Sequence, residues 1–141
     1  MTAAVSGVGT RFALRSGSSS PFTFTNAAEV LSIGGPEISA AEIEVSSLDS
    51  TGGYKEYITG LRDGGTIALE LNWVGSNAQQ VLLRDRAILP TAFVYRITWP
   101  NSPATVATFS AVCTKFGMNT ESGSAVKASV SLRITGAVTW T

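Results

Sequence analysis

Residues Ile43 to Trp73 read IEVSSLDSTGGYKEYITGLRDGGTIALELNW. Both ends of this stretch alternate apolar and polar residues, as half-buried strands do. Ile43 and Val45 share one face, opposite Glu42, Glu44 and Ser46. Ile67, Leu69, Leu71 and Trp73 share another, opposite Thr66, Ala68, Glu70 and Asn72. Between them, Ser46 to Gly65 has no regular period and holds five glycines and two tyrosines.

A connection of about twenty residues is long for a compact domain, where loops run about four to six. It is no plain linker, because Leu48, Tyr54, Tyr57, Ile58 and Leu61 are costly to leave in water. Two readings stand. The segment is a contact arm that finds its burial on another molecule, or it is a surface loop folded back on its own sheet.

Upstream, Met1 to Thr10 is small and glycine-bearing, and a loose arm is expected there. Arg11–Arg15, Phe22–Thr25 and Glu29–Ile33 read as short strands, with Val30 and Leu31 in the core. The cluster Ser16–Pro21 is a loop, and Gly34-Gly35-Pro36 breaks the chain. Ser39–Ser46 leads into the long segment.

Downstream, Ser76 and Gln79 have the spacing of a capping box. A helix is expected over Asn77–Arg86, ended before Pro90. Ala78, Val81, Leu82 and Asp85 fall on its inner side, continued by Ile88, while Asn77, Gln80 and Arg84 face away. The rest is strand. Phe93, Tyr95, Ile97 and Trp99 share a face; Thr105–Phe116 is extended; Gly117–Ser124 is a polar loop. Val126, Ala128, Val130, Leu132 and Ile134 alternate with Lys127, Ser129, Ser131, Arg133 and Thr135. The expected fold is mainly β: a β-sandwich or partly closed barrel with one short α-helix at its edge and a long inter-strand loop. A single domain spans residues 1–141, with 1–10 as N-terminal arm and 46–65 as the long loop.

Charged residues make up 14% of the chain against about 25% in an ordinary soluble domain, and the net charge is +0. Such a surface suits a subunit largely covered by neighbours. Ten scattered Lys and Arg supply no basic patch for gripping phosphates. No apolar run reaches the ~18 residues of a membrane span, and the N-terminus has neither the basic start nor the apolar core of a secretory signal. With no histidine and one cysteine, the commonest general base and an ordinary zinc site are both missing, and no cofactor or metal is expected. Cys113, between Val112 and Thr114, reads as a buried structural thiol. Gly7-Val8-Gly9 and Gly52-Gly53 lack the strand-glycine-helix setting of a nucleotide loop. Glu42, Glu44 and Glu70, if on one sheet face, could be tested as a glycosidase pair. Solvated positions on half-buried strands explain them better, and no catalytic residues are assigned. Tyr54, Tyr57, Trp73, Trp99 and Trp140 leave one alternative, a sandwich-type carbohydrate-binding or adhesion module.

The stretch from Ile43 through Gly65 also resembles the signature of the major tail tube proteins of long-tailed bacteriophages, and the likeness extends more weakly over nearly the whole chain. That resemblance implies a structural virion protein without an active site. Six copies close into a ring, and rings stack into a hollow tube that conducts the genome into the host. It implies further partners (tape measure, terminator and tail-tip proteins), assembly in the host cytoplasm, and no membrane or sequence-specific DNA contact. By the same likeness the long loop reaches the neighbouring ring, which makes Leu48, Asp49, Gly52, Gly53, Tyr54, Tyr57, Leu61 and Arg62 the expected inter-ring contacts. The bore must not hold phosphates, so Glu42, Glu44, Glu70 and Asn72 are the expected lumen-facing residues.

Overall fold

The computed structural model describes residues 4–16 and 20–141. Among the described residues nine strands and one α-helix follow in chain order. The strands are β1 (Arg11–Ser16), β2 (Thr23–Asn26), β3 (Val30–Gly34), β4 (Ser39–Glu44), β5 (Tyr57–Asp63), β6 (Thr66–Asn72), β7 (Phe93–Trp99), β8 (Thr105–Asn119) and β9 (Lys127–Trp140). The helix α1 (Ala78–Arg86) lies between β6 and β7. Seven strands form one antiparallel sheet in the order β2-β1-β7-β8-β9-β6-β3, and among the described residues β4 pairs only with β5.

The two edge strands of the large sheet, β2 and β3, are neighbours in sequence, joined by Ala27–Glu29. Their short link forces the sheet to curl until its edges approach. Phe12 C=O accepts from Ala27 N–H, and Glu29 C=O from Asn72 N–H, which ties the link to both sides. No ladder joins β2 to β3 among the described residues, so the curl stops short of a closed barrel.

Alternation fills the inside of that curl. β6 and β9 run in unbroken register from Thr66↔Arg133 to Asn72↔Lys127. Ile67, Leu69 and Leu71 therefore meet Leu132, Val130 and Ala128 on the core side, all buried. Phe12 stacks on Tyr95 with ring centroids 5.4 Å apart, and Phe109 completes the aromatic centre. Leu83 of α1 closes one end of the core.

The helix differs from expectation in its cap and its buried face. Asn77, not Ser76, is the N-cap, and its side chain accepts from Gln80 N–H at 3.1 Å. Gln79 makes no capping bond; its Oε1 is buried without a partner. Gln80, Leu83 and Arg86 point inward, whereas Asp85 and Ile88 are exposed. Gln80 can be buried because its amide is fully used. Its Oε1 accepts from Val74 N–H at 2.6 Å, and its Nε2 donates to Ala28 C=O at 2.7 Å and Asn72 C=O at 2.9 Å. Leu31, expected in the core, is exposed, while Val30 packs partly against it. The polar loop expected from Gly117 begins later, because β8 continues to Asn119. Part of the Ser16–Pro21 loop and the first residues of the N-terminal arm lie outside the described residues.

Candidate assembly interface

The long connection is mostly not loop. Tyr57–Asp63, read from sequence as part of the irregular stretch 46–65, forms β5 and pairs with β4 from Ser39↔Asp63 to Glu44↔Tyr57. The pairing extends to Val45 N–H, which donates to Glu56 C=O at 2.9 Å, and to Ser46 Oγ, which accepts from Glu56 N–H at 2.8 Å. Only the tip is irregular. There Ser50 Oγ accepts from Ser47 N–H at 2.9 Å, and a single 3-10 turn covers Thr51–Gly53.

This ribbon continues the β3–β6 pair past a waist. Pairing stops at Gly34↔Ala68 and resumes at Ser39↔Asp63. At the waist the two chains cross too closely for side chains. A Cβ on Gly35 would lie 2.7 Å from Thr66 O, and one on Gly65 would lie 2.6 Å from Glu37 O. Both glycines have positive φ, at 96° and 83°. Below the waist, Asp63 Oδ1 accepts from Gly65 N–H at 2.9 Å, and its other oxygen meets the Arg133 guanidinium of β9. The Gly65 amide first and Arg133 second hold the Asp63 carboxyl below its ordinary range.

Past the waist the ribbon has no core face. Leu48 is 107% exposed, Leu61 92% and Tyr54 78%, and Ile43, Val45, Tyr57 and Ile58 are exposed as well. Ile43 lies opposite Ile58, so the register pairs apolar side chains that remain in water. Every expected inter-ring residue, from Leu48, Asp49, Gly52, Gly53 and Tyr54 to Tyr57, Leu61 and Arg62, sits on this ribbon and is exposed. An isolated two-stranded hairpin is marginal in water at best, and this one carries an apolar surface with nothing over it.

The four acidic and polar residues picked for a second surface are not brought together. Glu42 and Glu44 lie on the ribbon, and Glu70 and Asn72 on the outer face of β6. Glu42 and Glu44 belong to the two-stranded sheet and Glu70 to the large one, with the waist between them. Glu70 lies opposite Ser129 and beside a groove shared with Lys127. Asn72 Nδ2 donates to Glu29 Oε2 at 3.3 Å. Arg133, which could have paired with these carboxylates, is engaged with Asp63.

Each tryptophan packs against another ring of the subunit, although Trp140 stays exposed. Trp99 and Trp140 stack at 5.8 Å, and Trp73 packs edge-on against Phe116. An apolar recess of about 320 Å³ beside the first pair is lined in part by Val5 and Gly7 of the N-terminal arm. Cys113 is buried, and burial pushes its thiol up. Among the described residues no cluster of acidic or sulfur ligands could hold a metal ion, and no helix is long and apolar enough to cross a membrane.

The fold is shared with tail structures. The chain matches one in the tail of an empty gene transfer agent particle refined with C6 symmetry: TM-score 0.76, 15% identity, 98% of this chain and 99% of that one. It matches the SPP1 tail tube with TM-score 0.68 and 12% identity over 93% of this chain and 75% of that one. A chain in the baseplate of the anti-feeding prophage matches with TM-score 0.71 and 12% identity over 100% and 97%. No curated protein sequence matches significantly. The family model for the lambda phage tail tube protein matches residues 6–141. The chain belongs to the lambda phage tail tube protein family, and it is a structural component of a phage tail.

Proposed function

We propose that six copies close into a ring, that rings stack head to tail, and that the ribbon of each subunit spans the junction. The observation that carries this reading is the ribbon itself, ordered as a ladder yet apolar on both faces with no cover. A head-to-tail contact repeats without closing, which is what a tube requires. Open strand edges on the ribbon and on β2 and β3 are templates for pairing with another chain, and ring closure removes them. Leu48, Asp49, Gly52, Gly53, Tyr54, Tyr57, Leu61 and Arg62 form the inter-ring contact. The subunit has no active site, and in the host cytoplasm its rings add to complexes of the tape measure, terminator and tail-tip proteins.

The bore conducts DNA, so its wall must repel or ignore phosphates. Glu42, Glu44, Glu70 and Asn72 face the lumen in this reading. Once the ribbon of one copy lies on another, residues from the two separate sheets can line one surface.

Negative-stain microscopy of the purified protein at rising concentration tests the assembly. Tubes of uniform bore are expected, and a persistent monomer overturns the proposal. Glu44→Lys with Glu70→Lys tests the lumen: tubes should form and DNA ejection should slow, and an unchanged ejection rate rejects these residues as bore lining.

A further inference from the structure

Four strands of the large sheet share the same rows. Gly34, Ala68, Ser131 and Lys115 lie in one row across β3, β6, β9 and β8. Ile33, Leu69, Val130 and Phe116 form the next, and the block runs on to Val30, Leu71, Ala128 and Met118. Beyond β3 the sheet has no further strand among the described residues. On its other side from β9, β8 is paired only as far as Ala111, opposite Phe93 of β7. Val30–Gly34 and Lys115–Asn119 are therefore two open edges over the same rows, on opposite sides of the block.

The two edges match in direction. Each strand of the block is antiparallel to the next, so β3 runs opposite to β8. A copy moved sideways across the block, without turning over, brings its β8 beside this β3 as an antiparallel neighbour. The faces match as well. Val30, Ile33, Phe116 and Met118 lie on the core side, since their partners Leu71, Leu69, Val130 and Ala128 are buried. Ser32 and Gly34 on β3, and Lys115, Gly117 and Asn119 on β8, lie on the other side. Each edge leaves an apolar side chain in water: Met118 is 49% exposed, and Leu31, at the irregularity of β3, is 50% exposed. β2, at the far end of the sheet, is a poorer partner for β3. It lies six antiparallel steps away and so runs parallel to β3, and parallel pairing is slightly weaker.

We infer that β3 of one copy pairs with the Lys115–Asn119 half of β8 in the next, so that the four-strand block repeats around the ring as one antiparallel sheet. This rests on the ring reading and names the strands that close it. An open edge is a template for another strand. The strand that fills it is a second copy's because one chain carries both edges, opposite in direction and alike in their inner and outer faces, as a heterologous contact needs.

Engineered disulfides test it. Ser32→Cys is combined in turn with Lys115→Cys, Gly117→Cys and Asn119→Cys, all on the side away from the core. A Cβ on Gly117 would meet nothing within 4 Å. Within one subunit the two edges stand three strand spacings, about 14 Å, apart, beyond the reach of a disulfide. Under mild oxidation at least one double variant should give a ladder of covalent oligomers up to the hexamer, and each single variant no more than dimers. Met118→Asp, on an exposed side chain, should raise the concentration at which rings appear by on the order of tenfold and leave the unfolding midpoint of the subunit unchanged. If the parent forms rings, but no double variant gives a ladder or Met118→Asp assembles like the parent, the paired strands are wrong and the ring reading survives. If the parent forms neither rings nor tubes, both fall. Should Met118→Asp not fold, the disulfides alone decide.

Discussion

Asp63 and Arg133 form an ion pair across two elements that share no ladder, since β5 pairs only with β4 and β9 lies in the large sheet. That pair and the Asp63–Gly65 bond anchor the ribbon. Asp63→Asn should speed amide exchange across β4 and β5 and leave the β6–β9 amides as slow as before. Equal acceleration in both sheets would show that the pair holds the whole subunit together and not the ribbon alone.

The same carboxylate makes the anchorage sensitive to acid. Its folded pKa lies below the ordinary value of 3.8, so its contribution is present above that value and is lost as pH falls through the lower folded one. Ribbon protection should be flat from neutral pH down to about 5, then fall below about 4. In Asp63→Asn that acid step should be absent. A step of the same size in the variant would assign it to other carboxylates.

Gln80 holds the helix to the end of β6 and to the β2–β3 link through three side-chain bonds. Gln80→Ala leaves Val74 N–H and two carbonyls without their partner and opens a void. A loss of about 3 kcal/mol in denaturant unfolding is expected. A change under about 1 kcal/mol would mean that solvent replaces the amide.

Gly35 combines a positive φ with a backbone oxygen where a Cβ would sit. Gly35→Ala should cost about 2 kcal/mol and disturb the waist before the core. Chemical denaturation with exchange at residues 37–41 checks both parts.

Leu61 is 92% exposed, so Leu61→Ser should move subunit stability by no more than about 0.5 kcal/mol and yet hinder assembly. A stability loss of a buried leucine's size, about 2 kcal/mol or more, would place Leu61 against its own subunit.

Much of the large sheet could be read from sequence because each strand has one wet face and one dry one. Ile67–Leu71 and Ala128–Ile134 alternate cleanly for that reason, and their mutual register follows. β5 could not be read in the same way. Tyr57, Ile58 and Leu61 fall on both faces of a ribbon with no core of its own, and Gly60 interrupts them, so no period exists to find. The helix was misoriented for a different reason. Two of its three buried positions, Gln80 and Arg86, are polar, and a search for an apolar stripe passes over them. Ser76 and Asn77 are both good cap residues, and in the structure it is Asn77 that accepts from Gln80 N–H. The ribbon residues were recognisable by their chemistry. Their separation from Glu70 was not, because it depends on the chain leaving one sheet for another at the waist.

The waist has a mechanical corollary. A ladder that lapses for a few residues, with glycine on both chains and a single ionic tether beside it, is compliant where an unbroken one is stiff. If every subunit joins the next layer through such a joint, bending the assembled filament distributes as small rotations over many joints. The column would then curve smoothly under load and recover its bore, instead of cracking between layers.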